Sequence, residues 1–421
     1  MGHLLIFATA LLVLPDAPAV GAPVRTNIVL FLIDDLGWKD VRCNGGSYYQ
    51  TPNVDRLARE GVRFTNAYAA CALCSPTRAA IMTGKYPARL LLTEWLPSGR
   101  WNPKAKLREG RFVRALPMEE FTLAEALREA GYRTASIGKW HLGSEPFSLP
   151  QHHGFDINIA GNGHGAPGNY FFPYDGDWAI PTTGLRARWN VLPDGQPGEY
   201  LTDRLTDEAV AFIRDNGNRP FFLYLPHYAV HTPLQAKPEM IAKYEKIPED
   251  QRQGKPAYAA MVESMDQSVG RVMDTLRELG LEQNTVVIFT SDNGGFYNAT
   301  SNAPLRANRP REGTSRQTGF LASRRWRGND AAKSRLPLST QRGNHRPVPV
   351  SMWRRRANAP HLPTCKAQQL AITSRCRCRT SSWTHAHVIP EVKRTNPSCG
   401  ARNRRATRGF VSPSAPLRPA S

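Results

Sequence analysis

The feature that most constrains this chain is a repeated alternation of strand and helix signals over residues 25–306. The first apolar run, NIVLFLI at residues 27–33, is rich in β-branched residues, as expected of a strand buried on both faces of a sheet. The predicted strands cover residues 27–33, 133–137, 220–225 and 285–290, and the predicted helices cover residues 51–61, 122–131, 201–215 and 257–279. Repeated βαβ units predict an α/β fold with a mostly parallel central sheet flanked by helices.

Polar side chains follow each of the four predicted strands. They are Asp34 and Asp35, Lys139 and His141, His227 and His231, and Asp292 and Asn293. A single polar pair at a strand end would more often be a turn or a cap. Sites in parallel sheets form beyond the carboxyl ends of the strands, so the joint placement of these pairs predicts a functional site there.

The first and last of these strand ends offer only oxygen ligands from Asp34, Asp35, Asp292 and Asn293. Oxygen ligands suit a hard cation such as Ca²⁺ or Mg²⁺ and argue against zinc. Without a cation, the adjacent carboxylates would repel each other. This part of the sequence therefore predicts a metal site.

Lys139 and His141 are two residues apart on an extended segment, so their side chains project to one face while Trp140 points away. A cation beside a titratable imidazole suits an oxyanion whose charge is held while a proton moves. The alternative is that Lys139 is a solvated surface charge.

A cysteine at the start of a predicted helix raises a separate question. Pro76 fits the first turn of that helix, so Cys74 would lie at its N-terminus, where the helix dipole favours negative charge, with Arg78 one turn later on the same face. Four other interpretations stay open for Cys74: a buried structural thiol, a disulfide with Cys71 or Cys43, a Cys-x-x-Cys metal or redox pair, and a thiolate nucleophile.

The segment Cys74-Ser75-Pro76-Thr77-Arg78 resembles the signature of the type I, formylglycine-dependent sulfatases of the alkaline-phosphatase-like superfamily. In that signature the cysteine is oxidised to formylglycine. Four further motifs match in the family's order within residues 25–306: Asp34-Asp35-Leu36-Gly37, Gly138-Lys139-Trp140-His141-Leu142-Gly143, His231-Thr232-Pro233-Leu234 and Ser291-Asp292-Asn293-Gly294. The resemblance explains the thiol as the precursor of the working group.

The resemblance implies a role for each matching residue. The metal ligands would be Asp34, Asp35, Asp292, Asn293 and the modified Cys74, with Ca²⁺ preferred over Mg²⁺. Arg78 would hold the formylglycine, His141 would hydrogen-bond its hydroxyl, and Lys139 and His231 would clamp the sulfate, with His231 as proton donor. One hydroxyl of the hydrated aldehyde would attack sulfur and release the alcohol, and the second hydroxyl would then collapse to the aldehyde and expel sulfate.

The implied function is hydrolysis of sulfate esters, with a sulfated small molecule or carbohydrate as substrate and a formylglycine-generating enzyme as maturation partner. Two alternatives remain. One is a phosphomonoester or phosphonate hydrolase of the same superfamily, and the other is a basic polyanion-binding protein on an inactive scaffold. No recognised module or aromatic interleaving supports a nucleic-acid partner, and no membrane span is predicted.

The N-terminal residues resemble a secretory signal. An apolar run at residues 4–14 is followed by small residues up to position 22, which fits an h-region and cleavage site better than a membrane span. We therefore expect residues 1–22 to be a signal peptide. The mature chain would be secreted or periplasmic, or lysosomal in a eukaryote.

The chain changes character near residue 306. Residues 1–306 carry a net charge of −1, with 31 Lys and Arg against 32 Asp and Glu, whereas residues 307–421 carry 24 against 3 and account for the whole excess of +20. Only 15 of those last 115 residues are Val, Ile, Leu or Phe, below the roughly 20 % that usually accompanies a packed core. We expect a catalytic domain at 25–306 and a disordered, Arg-rich tail at 307–421.

The tail also departs from the resembled family. The resemblance implies a small antiparallel C-terminal domain, which we expect to be absent or garbled in this sequence, and the composition favours the hypothesis of translation in a shifted frame. Arg309 is the cation nearest to the expected second sulfate-binding lysine, but its surroundings do not match and it receives no role.

Limited proteolysis tests the predicted boundary. Trypsin should cut residues 307–421 faster than residues 25–306, because an unfolded Arg-rich segment offers many open sites. Mass spectrometry of timed digests would map the cuts. A tail that resists trypsin as well as the first 300 residues do would contradict both the disorder and the shifted-frame hypothesis.

Overall fold

The structure is a computed structural model that describes residues 25–97, 110–179, 186–189, 192, 194–305 and 320–323. All of them belong to one compact unit, Met1–Leu338. The predicted signal peptide and nearly all of the predicted tail lie outside the described residues.

Strands and helices alternate along the chain. The strands are β1 (Asn27–Ile33), β2 (Val62–Phe64), β3 (Arg133–Ile137), β4 (Ile157–Ile159), β5 (Asp177–Ala179), β6 (Arg186–Arg188), β7 (Phe221–His227), β8 (Thr285–Ser291) and β9 (Phe320–Ser323). The α-helices are α1 (Pro52–Glu60), α2 (Cys74–Thr83), α3 (Pro87–Leu90), α4 (Leu123–Glu129), α5 (Leu201–Asn216), α6 (Pro238–Glu245) and α7 (Pro256–Glu278). None of these helices, which cover only the described residues, combines the length and apolar character needed to cross a bilayer.

Seven strands form one sheet in the order β2-β9-β8-β1-β7-β3-β4. The five strands from β8 to β4 are parallel to one another, and β9 pairs antiparallel with both β8 and β2. The predicted α/β fold with a mostly parallel sheet flanked by helices is confirmed. The remaining pair, β5 and β6, is a separate antiparallel hairpin.

Strand β1 lies between β7 and β8 and is buried on both faces. Val29, Phe31 and Ile33 pack into one apolar core with residues of α1, α5 and α7. Leu30 and Leu32 alternate to the opposite face and pack with residues of α2, α3 and α4. This two-sided burial is the physical reason why β1 reads as an unbroken apolar run.

The sequence anticipated the long elements closely and missed the short ones. Helix α4 begins with the expected capping box, in which the Thr122 hydroxyl accepts from the Glu125 amide and the Glu125 carboxylate accepts from the Thr122 amide.

Strand β9 was not expected, because it lies beyond residue 306 in the segment predicted to be disordered. Its place in the sheet rests on backbone pairing with Val287–Phe289, and backbone pairing does not depend on the Arg-rich composition around the strand.

Helix α1 is capped by another helix. Its own N-cap residue, Thr51, makes no capping hydrogen bond. Instead, the buried carboxylate of Asp266 on α7 accepts from the backbone amides of Asn53 at 3.1 Å and Val54 at 2.8 Å, and from the Asn53 side chain at 2.9 Å. Burial raises the pKa of Asp266 to about 6 despite these bonds. The cap ties α1 to α7.

Replacing this cap should destabilise the fold. Asp266→Ala should lower the free energy of unfolding by about 1–3 kcal/mol, because it leaves amide donors of α1 buried without partners. The measurement is urea unfolding followed by circular dichroism. Asp274→Ala is the matched control on the same helix, because Asp274 is half-exposed and makes surface ion pairs with Arg56 and Arg277 that contribute about 0–1 kcal/mol. Equal losses in the two variants would contradict the capping role.

Candidate active site

Four neighbouring strands bring the predicted site residues to one edge of the sheet. The adjacent order β8-β1-β7-β3 places the carboxyl ends of these parallel strands side by side. The residues that follow them are Asp34 and Asp35 after β1, Lys139 and His141 after β3, His231 after β7, and Asp292 and Asn293 after β8. Helix α2 begins at Cys74 and lies against the same edge.

Acidic groups and the thiol meet at the centre of this site. Asp34, Asp35, Asp292 and Cys74 each offer one ligand atom, and these four atoms lie within 4.8 Å of one another. The Cys74 Sγ is 3.5 Å from the Asp34 Oδ1. His231 forms an overlapping group with Asp34 and Cys74 under the same distance limit. The structure thus brings together the carboxylates and the cysteine that the sequence analysis selected.

Two buried cations pair with the carboxylates. The Arg78 guanidinium contacts Asp292 Oδ2 at 2.9 Å through Nη2 and at 3.0 Å through Nε, and its Nη1 donates to the Lys139 carbonyl at 2.8 Å. The Lys139 ammonium forms an ion pair with Asp34 Oδ2. All four of these side chains are fully buried, so the alternative in which Lys139 is a solvated surface charge is wrong.

Lys139 reaches this position through a close backbone approach. Its amide donates to the Pro226 carbonyl of β7 at 2.7 Å. The preceding Gly138 has φ +124°, and a Cβ there would stand 2.1 Å from the Pro226 oxygen. Only glycine accommodates both the backbone conformation and the contact.

The pKa shifts reflect a surplus of negative charge. Among the described residues that contact one another here, three aspartates face two permanent cations. Burial, followed by the nearby Asp34 carboxylate, raises the pKa of Asp292 to about 6. The same two causes raise the pKa of the Cys74 thiol well above its usual value. A site that disfavours further negative charge is suited to a cation.

The raised pKa of Cys74 changes one expectation. The helix N-terminus was expected to favour negative charge at this position, but burial, followed by the neighbouring carboxylates, raises the pKa of the thiol instead. Cys74 makes no disulfide with Cys43 or Cys71, and no candidate metal group among the described residues includes Cys71. The disulfide interpretation is wrong, and the raised pKa argues against a thiolate nucleophile.

Asn293 completes the set of oxygen donors. Its amide nitrogen donates to a carboxylate oxygen of Asp35 and, at 3.1 Å, to the Gly294 carbonyl. Its Oδ1 is buried and has no hydrogen-bond partner in the described part of the chain. Carboxylate and amide oxygens around a negative centre fit a hard cation such as Ca²⁺ or Mg²⁺.

The two histidines differ in their surroundings. His141 is buried, and its Nε2 lies 2.6 Å from the Leu96 carbonyl, so Nε2 carries the proton and Nδ1 is left as an acceptor with no partner among the described residues. Burial and then the Lys139 charge lower the pKa of His141 well below its usual value. His231 is partly exposed, and its Nε2 lies 3.6 Å from Asp35 Oδ2. His141 is therefore neutral and buried, whereas His231 is the partly exposed histidine of the site.

His227 does not join the site. It ends β7, but its Nε2 lies 2.9 Å from the Ser268 hydroxyl on α7, on the far side of the strand. Burial lowers the pKa of His227 to about 4. Alternation along the strand explains this orientation, which the sequence spacing alone did not reveal.

The sequence analysis passed over two residues that lie against the site, Asp40 and Tyr258. The Tyr258 hydroxyl contacts both the Asp40 carboxylate and the Asp35 carbonyl. The sequence offered one signal for Asp40, which is an acidic residue only six positions after Asp34. The structure shows that Asp40 is fully buried. Tyr258 carried none, because an aromatic residue on a helix reads as ordinary core.

Comparison with known proteins identifies the family to which the chain is similar. The Sulfatase family profile matches residues 26–320. N-acetylgalactosamine-6-sulfatase of Mus musculus is 37% identical over 291 residues, covering 66% of this chain and 52% of the relative, and steryl-sulfatase of Homo sapiens is 32% identical over 357 residues, covering 66% and 56%. The crystal structure of Ps i-CgsB superposes with a TM-score of 0.58 at 33% identity, covering 71% of this chain and 66% of that one.

The chain spans about half the length of the curated relatives it matches. The match nevertheless covers the whole stretch in which the five ordered motifs occur, and it confirms the resemblance drawn from them. The protein belongs to the sulfatase family.

Proposed function

We propose that this protein hydrolyses sulfate esters, using a formylglycine made from Cys74 and a Ca²⁺ ion held by Asp34, Asp35, Asp292 and Asn293. One observation carries the proposal. The Cys74 thiol and three carboxylates present ligand atoms within 4.8 Å of one another in a cluster flanked by the buried cations Arg78 and Lys139. The raised pKa of the thiol argues against its acting as the nucleophile itself.

The aldehyde hydrate and the cation together would supply an activated hydroxyl nucleophile and a second hydroxyl that expels sulfate. The chain's own residues would prepare this chemistry. Arg78 spans the Asp292 carboxylate and the Lys139 carbonyl, so it links helix α2 to the ends of β8 and β3. This buried link holds position 74 against the acidic cluster.

Lys139 and His231 would hold the sulfate oxygens, since both border the Asp34–Asp35 turn. His231 is also the proposed proton donor to the leaving alcohol, because it is partly exposed and can be reached from solvent. Neutral His141 has a buried acceptor nitrogen, and we propose that this Nδ1 accepts a hydrogen bond from the hydroxyl at position 74. These roles agree with those implied by the motif matches.

The substrate class is a sulfated carbohydrate or small molecule. Relatives named N-acetylgalactosamine-6-sulfatase, arylsulfatase and steryl-sulfatase match over similar shares of this chain, and Ps i-CgsB has been crystallised with k-i-k-neocarrahexaose. Their names cover sugars, aromatic alcohols and sterols, so they support the ester class and leave its alcohol open. A formylglycine-generating enzyme would be the maturation partner, and we propose export of the chain from the signal at residues 1–22.

Oxidation of Cys74 can be tested directly. After co-expression with a formylglycine-generating enzyme, the tryptic peptide covering residues 64–78 should lose one thiol and gain an aldehyde. Fragment ions should place the change at Cys74, with Cys71 in the same peptide as the internal control. Cys74→Ala should give no aldehyde. A Cys74 that remains a thiol after co-expression would remove the proposed mechanism.

Asp292 should be required for calcium binding. Asp292→Ala should weaken Ca²⁺ affinity by about 100-fold or more, because even outer-shell partners of metal ligands cost roughly 10- to 100-fold. Calorimetric titration with CaCl₂ gives the affinity, and circular dichroism checks that the variant is folded. Asp274→Ala, which removes an exposed carboxylate on α7, should bind as the unmodified protein does. Unchanged affinity in Asp292→Ala would mean that Asp292 only forms a turn.

A further inference from the structure

A buried carboxylate lies next to the candidate metal site but outside its ligand set. Asp40 is completely buried. Its Oδ2 accepts from the Gly37 amide at 2.8 Å and the Tyr258 hydroxyl at 2.6 Å, and its Oδ1 accepts from the Thr300 hydroxyl at 2.7 Å and the Gln253 amide at 3.0 Å. Four donors converge on one carboxylate, which makes Asp40 the hub of a polar network.

The network makes hydrogen bonds to the backbone of the turn that carries Asp34 and Asp35. Asp35 has φ +56°, a left-handed conformation that non-glycine residues rarely adopt and that needs support from its surroundings. That support comes from both sides. The Tyr258 hydroxyl shares its single proton between Asp40 Oδ2 and the Asp35 carbonyl, which is 2.9 Å away, and the Asp35 amide donates to Asp292 Oδ1 at 3.3 Å. Tyr258 therefore connects the Asp40 hub to the backbone of a proposed ligand.

The network also reaches the segment that carries Asp292 and Asn293. Thr300, which donates to Asp40, receives a hydrogen bond from the Tyr49 hydroxyl at 2.6 Å. Two residues later, the Asn302 side chain bonds the Gly295 amide at 3.0 Å and the Gly295 carbonyl at 2.7 Å. The two ligand-bearing segments touch here, because a Cβ on Gly295 would stand 3.0 Å from the Gly37 Cα.

We propose that Asp40 and Tyr258 are positioning residues for the metal site, which hold Asp35 and the two ligand-bearing segments in the geometry that binds the cation. The inference rests on the metal site of the proposed function. Its physical basis is that the hydrogen bonds end on the backbone of the ligand turn itself, at the Asp35 carbonyl and the Gly37 amide. A polar cluster with only a structural role would stabilise the fold without altering metal affinity.

Tyr258→Phe removes one hydroxyl and keeps the buried ring, so it isolates the positioning effect. The matched control is Tyr200→Phe, which removes another buried hydroxyl that donates to a backbone carbonyl, that of Gln235, at the same 2.9 Å. Both variants lose a buried hydroxyl that contacts a backbone carbonyl, but Tyr258→Phe also loses the bond to the Asp40 carboxylate, so it should lose more stability in thermal unfolding measured in EDTA. Only Tyr258→Phe should weaken Ca²⁺ binding, by roughly 10- to 100-fold in calorimetric titration with CaCl₂ alone.

Asp40→Asn provides a second variant. An asparagine turns a donor group toward two of the four donors that converge on residue 40, so it should weaken Ca²⁺ binding at least as much as Tyr258→Phe does. Tyr258→Phe carries the test if Asp40→Asn fails to fold.

Equal Ca²⁺ affinity in Tyr258→Phe and Tyr200→Phe, with the unmodified protein binding normally, would overturn the positioning role and leave the proposed function intact. Absence of Ca²⁺ binding in the unmodified protein would instead overturn the metal site, and the inference with it.

Discussion

The buried charge cluster at the end of the central strands is the constraint on which the rest of the site depends. Asp34 and Asp292 are withdrawn completely from solvent, and each is matched by a cation from another part of the chain, Lys139 for the first and Arg78 for the second. Buried ions are tolerated only when they are paired and hydrogen-bonded. These pairs therefore decide where α2 and the segment after β3 must lie against the sheet.

The two cations do not neutralise all of the negative charge in the cluster. Asp35 adds a third carboxylate, the Asn293 oxygen has no partner within the described residues, and the pKa of Asp292 is raised to about 6. Each observation indicates that the cluster has room for positive charge. Both permanent cations, Arg78 and Lys139, are already paired with carboxylates, so a divalent cation would balance the remaining negative charge of the site.

The start of helix α2 shows how tertiary surroundings reverse a local preference. An isolated helix N-terminus favours a thiolate at Cys74. In the folded protein burial, together with the neighbouring carboxylates, of which Asp34 Oδ1 lies 3.5 Å away, raises the pKa of that thiol instead. The reversal agrees with a cysteine that serves as a precursor, and it separates this site from those of thiol enzymes, which need a lowered cysteine pKa.

The sequence by itself determined the α/β class, most of the long elements and most members of the strand-end cluster. A strand that is buried on both faces has a continuous apolar sequence, and the ordered motifs identify the residues that follow the strands. The sequence did not reveal that His227 turns away toward Ser268, that Asp266 caps a helix 213 residues distant in sequence, or that Tyr258 supports the Asp35 turn. It also missed strand β9, whose backbone pairing leaves no mark in composition. Those features rest on contacts between residues far apart in the chain. Only the tertiary structure decided them, because the direction of a side chain and the partner of a buried polar group depend on how the elements pack.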